Sequence, residues 1–189
     1  MHIQSTKKVL DFFGIEPINM NTDDDIYAWH ANYEIVNRKK LLILMHDISR
    51  FCVLIYGIKK SDKKNITKII KETMYVTMKS EAYGGFMIKA YLDSFDKVTF
   101  GKTKNRKMIS RIVWLRDYVL SYMEKHGVYT DVHEQPQITT IINNNFVTDD
   151  NYKTWFSPNE KMIHILEKHE SEQLLCKLGD DFYENSIYK

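Results

Sequence analysis

The chain is poor in cysteine, proline and glycine, with two, three and seven of them among 189 residues. Cys52 and Cys176 form no C-x-x-C pair, so the sequence predicts neither a disulfide scaffold nor a cysteine zinc site. No hydrophobic run approaches the roughly 20 residues that span a bilayer. The N-terminal stretch also lacks the apolar core of a signal peptide. We therefore expect a cytoplasmic protein that does not interact with membranes.

A strong net charge is also missing, since 27 Lys and Arg residues face 25 Asp and Glu residues and leave a formal charge of +2. Any nucleic-acid binding must therefore depend on local basic clusters. The apolar fraction of 43% and the aromatic fraction of 13% predict a folded globular chain. The length favours a single domain. From the patterns described below we expect an α+β domain over residues 1–189, with a core at 1–127 and a C-terminal extension at 128–189.

Three segments are predicted to form strands. Residues 27–35 place apolar or aromatic side chains at odd positions and His30, Asn32 and Glu34 at even positions. This period of two is typical of a strand with one buried face and one solvated face. The apolar runs 41–45 and 51–56 follow after short connections. We therefore expect a small antiparallel sheet packed with helices.

Helical patterns dominate the rest of the chain. A helix is predicted from about Lys107 to His126. Its apolar stripe consists of Met108, Ile112, Leu115, Val119 and Met123. We expect this stripe to pack on the sheet through Trp29, Leu42, Leu44 or Val53. Ser157-Pro158-Asn159-Glu160 is typical of a helix start, and we extend that helix as far as Leu178. We therefore predict that the C-terminal extension is helical. Residues 139–146 are interpreted as a weak strand or a loop. Trp114 and Trp155 are interpreted as packing residues, with stacking platforms as the alternative.

The row formed by His30, Asn32 and Glu34 is the sharpest candidate for chemistry. Side chains at i, i+2 and i+4 of a strand project from one face about 7 Å apart. A histidine near a carboxylate can act as a general base or metal ligand, and asparagine can orient a substrate. The alternative is that a solvated sheet face requires polar residues anyway. No further metal ligand is identifiable, so we predict no metal and no cofactor.

Basic clusters form the second candidate site. The segment 102–107 (KTKNRK) places four cations directly before the predicted long helix, where backbone N–H groups favour an anion. Arg106 offers a bidentate phosphate contact, with Lys104 and Asn105 beside it. The segment lacks the glycines of a P-loop. Arg38 begins a second basic turn, and residues 59–64 contain a third. The alternative is that these cations merely decorate solvated turns.

Several of these segments resemble a bacterial family of unknown function, DUF6933. The resemblance covers about residues 1–125. The family has a Thr-Lys-Lys helix start, here Thr6-Lys7-Lys8, and a W-[HY]-A-N strand, here Trp29-His30-Ala31-Asn32. It also has a basic turn before an apolar strand, here Arg38-Lys39 before 41–45 and His46-Asp47, and an Asn-Arg segment that opens a long helix, here Asn105-Arg106. Lys107 stands where the family has serine, and the G-S-x-N-D portion that follows is largely lost. The resemblance carries Trp29, His30, Asn32, Asn105 and Arg106 over as positions of interest, and it implies no activity, cofactor or substrate.

Two functions remain open at the level of sequence. The favoured one is a non-enzymatic binding or regulatory module that recognises protein or nucleic acid through its basic turns, in a setting linked to mobile elements or phage defence. The alternative is an enzyme acting on a phosphate-bearing substrate, with His30 as base and Arg106 as anion clamp. The two differ in whether Arg106 and the His30 face line one pocket.

Overall fold

A five-stranded sheet forms the centre of the protein. The computed structural model describes residues 1–20, 26–149 and 151–171. The strand order is β4-β3-β2-β1-β5. The strands are β1 (His2–Ser5), β2 (Ala28–Val36), β3 (Lys39–His46), β4 (Cys52–Ile58) and β5 (Thr99–Lys102). A separate small hairpin pairs β6 (Val147–Thr148) with β7 (Trp155–Phe156).

The α+β class predicted from the sequence is confirmed. Strands β2, β3 and β4 form the expected antiparallel meander. The sheet as a whole is mixed, because β1 lies between β2 and β5 and pairs with both in parallel. The chain returns from β1 to β2 through a helix, and such a crossover gives parallel pairing.

The turn between β2 and β3 has a specific backbone geometry. Val36 pairs with Lys39, so Asn37 and Arg38 form a two-residue turn, with φ angles of 48° and 64°. Two successive positive φ angles are characteristic of the type I′ turn, whose twist matches that of the flanking strands. The turn fixes the hairpin register and places Arg38 at the tip.

Six helices cover the two faces of the sheet in the part of the chain described. They are α1 (Lys7–Phe13), α2 (Ile66–Ser80), α3 (Gly85–Asp93), α4 (Arg106–His126), α5 (Pro136–Asn144) and α6, which is described over 158–171. A 3-10 helix at Lys60–Asn65 precedes α2. Among the described residues, no helix is long and apolar enough to cross a membrane.

Each sheet face has its own core. Helices α1, α2, α3 and α6 pack on the face that carries Trp29, Leu42 and Leu44. Helices α4 and α5 pack on the opposite face, which carries Ile43 and Met45. The apolar stripe of α4 is buried as predicted, but the predicted contact with Trp29, Leu42, Leu44 or Val53 is wrong. Successive strand residues point to opposite faces, and α4 lies on the other one.

Three local expectations are corrected and one is confirmed. Residues 139–146 do not form a strand or loop throughout, since residues up to 144 belong to α5. Trp114 and Trp155 are exposed rather than packed. The helix start at Ser157 is confirmed, because the Ser157 hydroxyl accepts a hydrogen bond from the Glu160 N–H at 3.4 Å. The extension of this helix to Leu178 lies outside the described residues.

Candidate functional site

The first candidate residue, His30, is buried instead of solvated. Its side chain is 0% exposed, because the polar face of β2 is the face that α4 covers. Nδ1 lies 2.6 Å from Oδ1 of Asp47, in the turn after β3. Nε2 has no hydrogen-bond partner among the described residues. The expectation that His30 points into solvent is therefore wrong.

The other two members of the row connect separate elements. The Asn32 carbonyl oxygen accepts a hydrogen bond from the Thr6 hydroxyl at 3.0 Å, which joins β2 to the start of α1. Glu34 lies 3.3 Å from Lys8 Nζ on α1 and 4.0 Å from Arg116 Nη1 on α4. Both side chains thus hold helices against β2. This role requires no substrate.

Sequence reasoning did not identify Asp47 as the partner of His30. The signal was present in the predicted hairpin. A two-residue turn at Asn37-Arg38 sets His30 opposite Met45 and therefore places Asp47 next to Ala28, on the same face as His30. Diagonal neighbours of this kind are within reach of each other on antiparallel strands. The pairing follows once the turn type is assigned.

The described residues contain neither a cluster of metal ligands nor an activated thiol. No three His, Cys, Asp or Glu side chains among the described residues are grouped so that they could hold a metal ion. Burial raises the pKa of the Cys52 thiol far above its usual range, which suppresses the nucleophilic thiolate. The triple aspartate Asp23, Asp24 and Asp25 lies outside the described residues.

The basic clusters, in contrast, converge at one edge of the sheet. Strand β1 is parallel to β2 and β5. Strand β4 is also parallel to β2, because both are antiparallel to β3. The carboxyl ends of β1, β2, β4 and β5 therefore all lie at the same edge. We call this region the basic edge, since each of these ends is followed by cations: Lys7 and Lys8, Arg38 to Lys40, Lys59 and Lys60, and Lys102, Lys104, Arg106 and Lys107.

The sequence predicts the basic clusters after β2, β4 and β5, but it predicts neither Lys7 and Lys8 as a fourth cluster nor the convergence of all four. Ser5 pairs with Lys102, which lies about a hundred residues further along the chain. No local pattern specifies such a pairing. The opposite edge begins with Asp96 and Lys97 before β5 and has Asp47 and Arg50 between β3 and β4, so its charges are mixed.

Two of the basic turns line one groove. The groove has a volume of about 610 Å³, and Arg38, Lys39, Lys40, Lys59 and Lys60 line it together with the rings of Phe12, Tyr56 and His133 and the carboxylates of Asp62 and Asp131. The amine of Lys40 lies 4.4 Å from the centre of the Phe12 ring. Such a contact holds a cation in place without neutralising it.

The β5–α4 junction contributes the rest of the basic edge. Asn105 is the N-cap of α4, and its side chain accepts a hydrogen bond from the Met108 N–H at 3.2 Å. Lys104 and Arg106 flank it and are exposed, and the first turn of α4 contains no acidic residue. The remaining N–H groups of a helix start favour a negative charge. The junction therefore suits an anion.

Helices leave the neighbouring parallel strands β1 and β5 toward opposite faces of the sheet. Helix α1, which follows β1, packs on the sheet face that carries Trp29, whereas α4, which follows β5, packs on the face that carries Ile43. In open α/β sheets, ligands bind in the crevice that forms where the chain diverges in this way, outside the carboxyl ends of the strands. At this position Lys7 and Lys8 follow β1, and Lys104 and Arg106 follow β5.

A family model described as "Domain of unknown function (DUF6933)" matches residues 2–161. The match covers the whole sheet, both helical layers and the beginning of α6. It extends past the stretch 1–125 that carries the resemblance in sequence. No curated protein matches the chain.

Proposed function

The chain belongs to the DUF6933 family, and because that description names no activity, we propose from its basic edge that the protein is a non-enzymatic module that binds the phosphate backbone of nucleic acid. The observation that carries this proposal is the convergence of four basic segments at the carboxyl ends of β1, β2, β4 and β5. Because the formal charge of the chain is only +2, a polyanion needs a local concentration of cations such as this one. A bacterial, cytoplasmic setting linked to mobile elements or phage defence belongs to the same proposal and is supported by the family resemblance alone.

The width of the basic edge favours a ligand with several phosphates. Strands β4 and β5 are separated by four strand steps, which corresponds to about 19 Å. The Arg38 groove lies toward the β4 side, and the Arg106 junction follows β5. A single phosphate cannot contact both. A polyanion such as a nucleic-acid strand can, with lysine and arginine contacts spread along its backbone.

The burial of His30 supports binding over catalysis. The enzyme alternative needs His30 and Arg106 to contact one substrate. His30 is fully buried under α4, whereas Arg106 is exposed at its start. A substrate would therefore have to displace the α4 layer to reach the imidazole. Binding at the basic edge requires no such rearrangement.

Salt-dependent binding is the test. The affinity for labelled 20-nucleotide DNA and RNA, single-stranded and duplex, is measured by fluorescence anisotropy between 50 and 200 mM salt. The logarithm of the binding constant should fall linearly with the logarithm of the salt concentration. The double variant Lys104→Ala/Arg106→Ala should bind more weakly, and its slope should fall by about one unit for each lost phosphate contact.

The matched control removes two cations near the opposite edge. Lys97 precedes β5, whereas Lys104 follows it, and Lys89 is exposed on α3. The double variant Lys89→Ala/Lys97→Ala has the same net charge as the test variant and should keep the wild-type slope. Equal losses of affinity in the two double variants would show that binding depends on overall charge and not on the basic edge. Absence of binding at 50 mM salt would refute the proposal, and binding of a protein instead would favour the other partner class.

A further inference from the structure

Helix α4 exposes two large aromatic side chains. Trp114 is 77% exposed and Tyr118 is 42% exposed. Neither belongs to the buried stripe by which α4 packs on the sheet. Aromatic rings contribute much of the energy of cores and interfaces, so a Trp–Tyr pair left in water marks a surface available for contact.

The two rings continue the basic edge along the helix. Lys107, Arg111, Trp114 and Tyr118 follow one another at intervals of four, three and four residues, which places them along one side of α4. Trp114 is eight residues beyond Arg106, or about 12 Å along the helix axis. We call this row the α4 stripe. It starts with a cation in the first turn, at the basic edge.

The acidic residue of α4 that is closest to Trp114 in sequence is already paired. Asp117 lies on the exposed part of α4, and its carboxylate is 2.8 Å from Nη2 of Arg116. Arg116 in turn approaches Glu34 on β2. The carboxylate that would repel a polyanion near Trp114 is therefore partly neutralised. The α4 stripe itself contains two cations, two aromatic rings and no acid.

We propose that the α4 stripe binds the bases of a single-stranded nucleic acid, with Trp114 and Tyr118 as stacking platforms. The inference rests on the proposed function, since the basic edge holds the phosphates. Bases in a duplex are already stacked on each other, whereas an unpaired base presents its face to an aromatic side chain. A positively charged track with interleaved aromatic rings is the arrangement by which proteins bind single strands without strong sequence preference.

Three probes of equal length separate stacking from backbone attraction. They are a 20-nucleotide thymidine oligomer, an abasic 20-mer with the same phosphate backbone, and a 20-base-pair duplex. Wild-type protein should bind the thymidine oligomer at least about fivefold more tightly than the abasic one, since one stacked base contributes that much or more. Trp114→Ala should lose most of this difference, since Trp114 is the larger and more exposed ring, but should keep the salt slope. Trp114→Phe should retain most of it.

Trp155 provides the matched control. It is also exposed, at 68%, but it lies on the separate β6–β7 hairpin. Trp155→Ala should therefore leave the preference for bases intact. Tyr118→Ala should reduce the preference without removing it, because Trp114 remains.

The outcomes distinguish this inference from the proposed function. Equal affinity for the thymidine and abasic oligomers, together with a lower salt slope in Lys104→Ala/Arg106→Ala, would overturn the stacking and leave the basic edge as a backbone-binding site. Failure to bind any probe would overturn both. A dimer in solution that Trp114→Ala converts to a monomer, with oligomer binding unchanged, would assign the rings to self-association and also overturn the inference.

Discussion

Nδ1 of His30, which is buried between the sheet and α4, lies 2.6 Å from Oδ1 of the partly exposed Asp47. A carboxylate oxygen accepts hydrogen bonds, and the imidazole is the donor of the pair. Nε2 of His30 has no partner among the described residues. The pair connects the interior of β2 to the β3–β4 turn and orients both side chains.

Removing the imidazole should therefore destabilise the protein. We expect His30→Ala to lower the free energy of unfolding by about 2–4 kcal/mol, through a cavity and the loss of a hydrogen bond to a charged group. Urea denaturation measures this. His164→Ala, at an exposed position of α6, is the control and should change stability by less than about 0.5 kcal/mol. Similar small values for both variants would mean that His30 is accessible in solution.

The alternating pattern of β2 correctly predicts a strand, but it does not predict the environment of the strand's polar face. A period of two shows which residues share a face and does not show what covers that face. The apolar run of β3 contained the missing information. Leu41 to Met45 are buried on both sides of the sheet, which requires helices on both faces. The polar residues of the neighbouring strand must then lie under one of these layers.

Helix α5 was missed because local preference and tertiary packing disagree. The segment is rich in threonine, isoleucine and asparagine, which favour strands or turns over helices. Ile138 and Ile142 are four residues apart and both are buried, and Pro136 lies at the first helical position. This spacing was the available signal for a helix. Packing on the Ile43 face outweighs the weak propensity.

Truncation of an α4 core residue tests the assignment of the two faces. Leu115→Ala should cost about 2–5 kcal/mol of unfolding free energy, because Leu115 fills the space between α4 and the sheet. Ile35→Ala is the control. Ile35 occupies an odd position of β2 that the alternation predicts to be buried, but it is 63% exposed. Its truncation should cost less than about 0.5 kcal/mol. The opposite order of the two values would show that the register of β2 is shifted.

The buried carboxyl of Glu81 should make stability depend on pH. Glu81 lies at the end of α2, where burial raises its pKa above the ordinary value of 4.5 and the hydrogen bonds from Asn144 and Thr140 partly oppose the shift. The folded protein therefore binds the Glu81 proton more tightly than the unfolded chain does. This contribution is fully present below about pH 4.5 and is lost as the pH rises through the folded pKa.

Glu81→Gln isolates this contribution, because glutamine is neutral at every pH. The variant should be as stable as wild type or more stable at pH 7, where burial of the charge is costly. Wild type should gain relative to the variant as the pH falls toward 4.5. Thermal unfolding at several pH values measures the difference, with Glu124→Gln on the exposed side of α4 as the control for loss of one carboxylate. A difference between wild type and Glu81→Gln that stays constant with pH would contradict the raised pKa.

The side chain of Asn143 forms the hydrogen bonds that a neighbouring strand would form with β4, the outermost strand on one side of the sheet. Strand β4 ends the sheet on one side, so its outward N–H and C=O groups need other partners. The Asn143 carbonyl oxygen accepts a hydrogen bond from the Cys52 N–H at 2.7 Å, and its amide nitrogen donates one to the Cys52 carbonyl at 3.0 Å. These are the two bonds that an antiparallel partner would form with Cys52.

Substitution of Asn143 by leucine keeps the approximate volume and removes both hydrogen bonds. Two buried backbone groups would lose their partners, so Asn143→Leu should lower the free energy of unfolding by about 2–5 kcal/mol. Asn145→Ala, at an exposed position just after α5, should have little effect. Amide hydrogen exchange locates the cause: the Cys52 N–H should lose protection in Asn143→Leu relative to other β4 amides that point toward β3. If all of these amides lose protection equally, the variant destabilises the whole protein, and Asn143 does not specifically protect the outward backbone groups of β4.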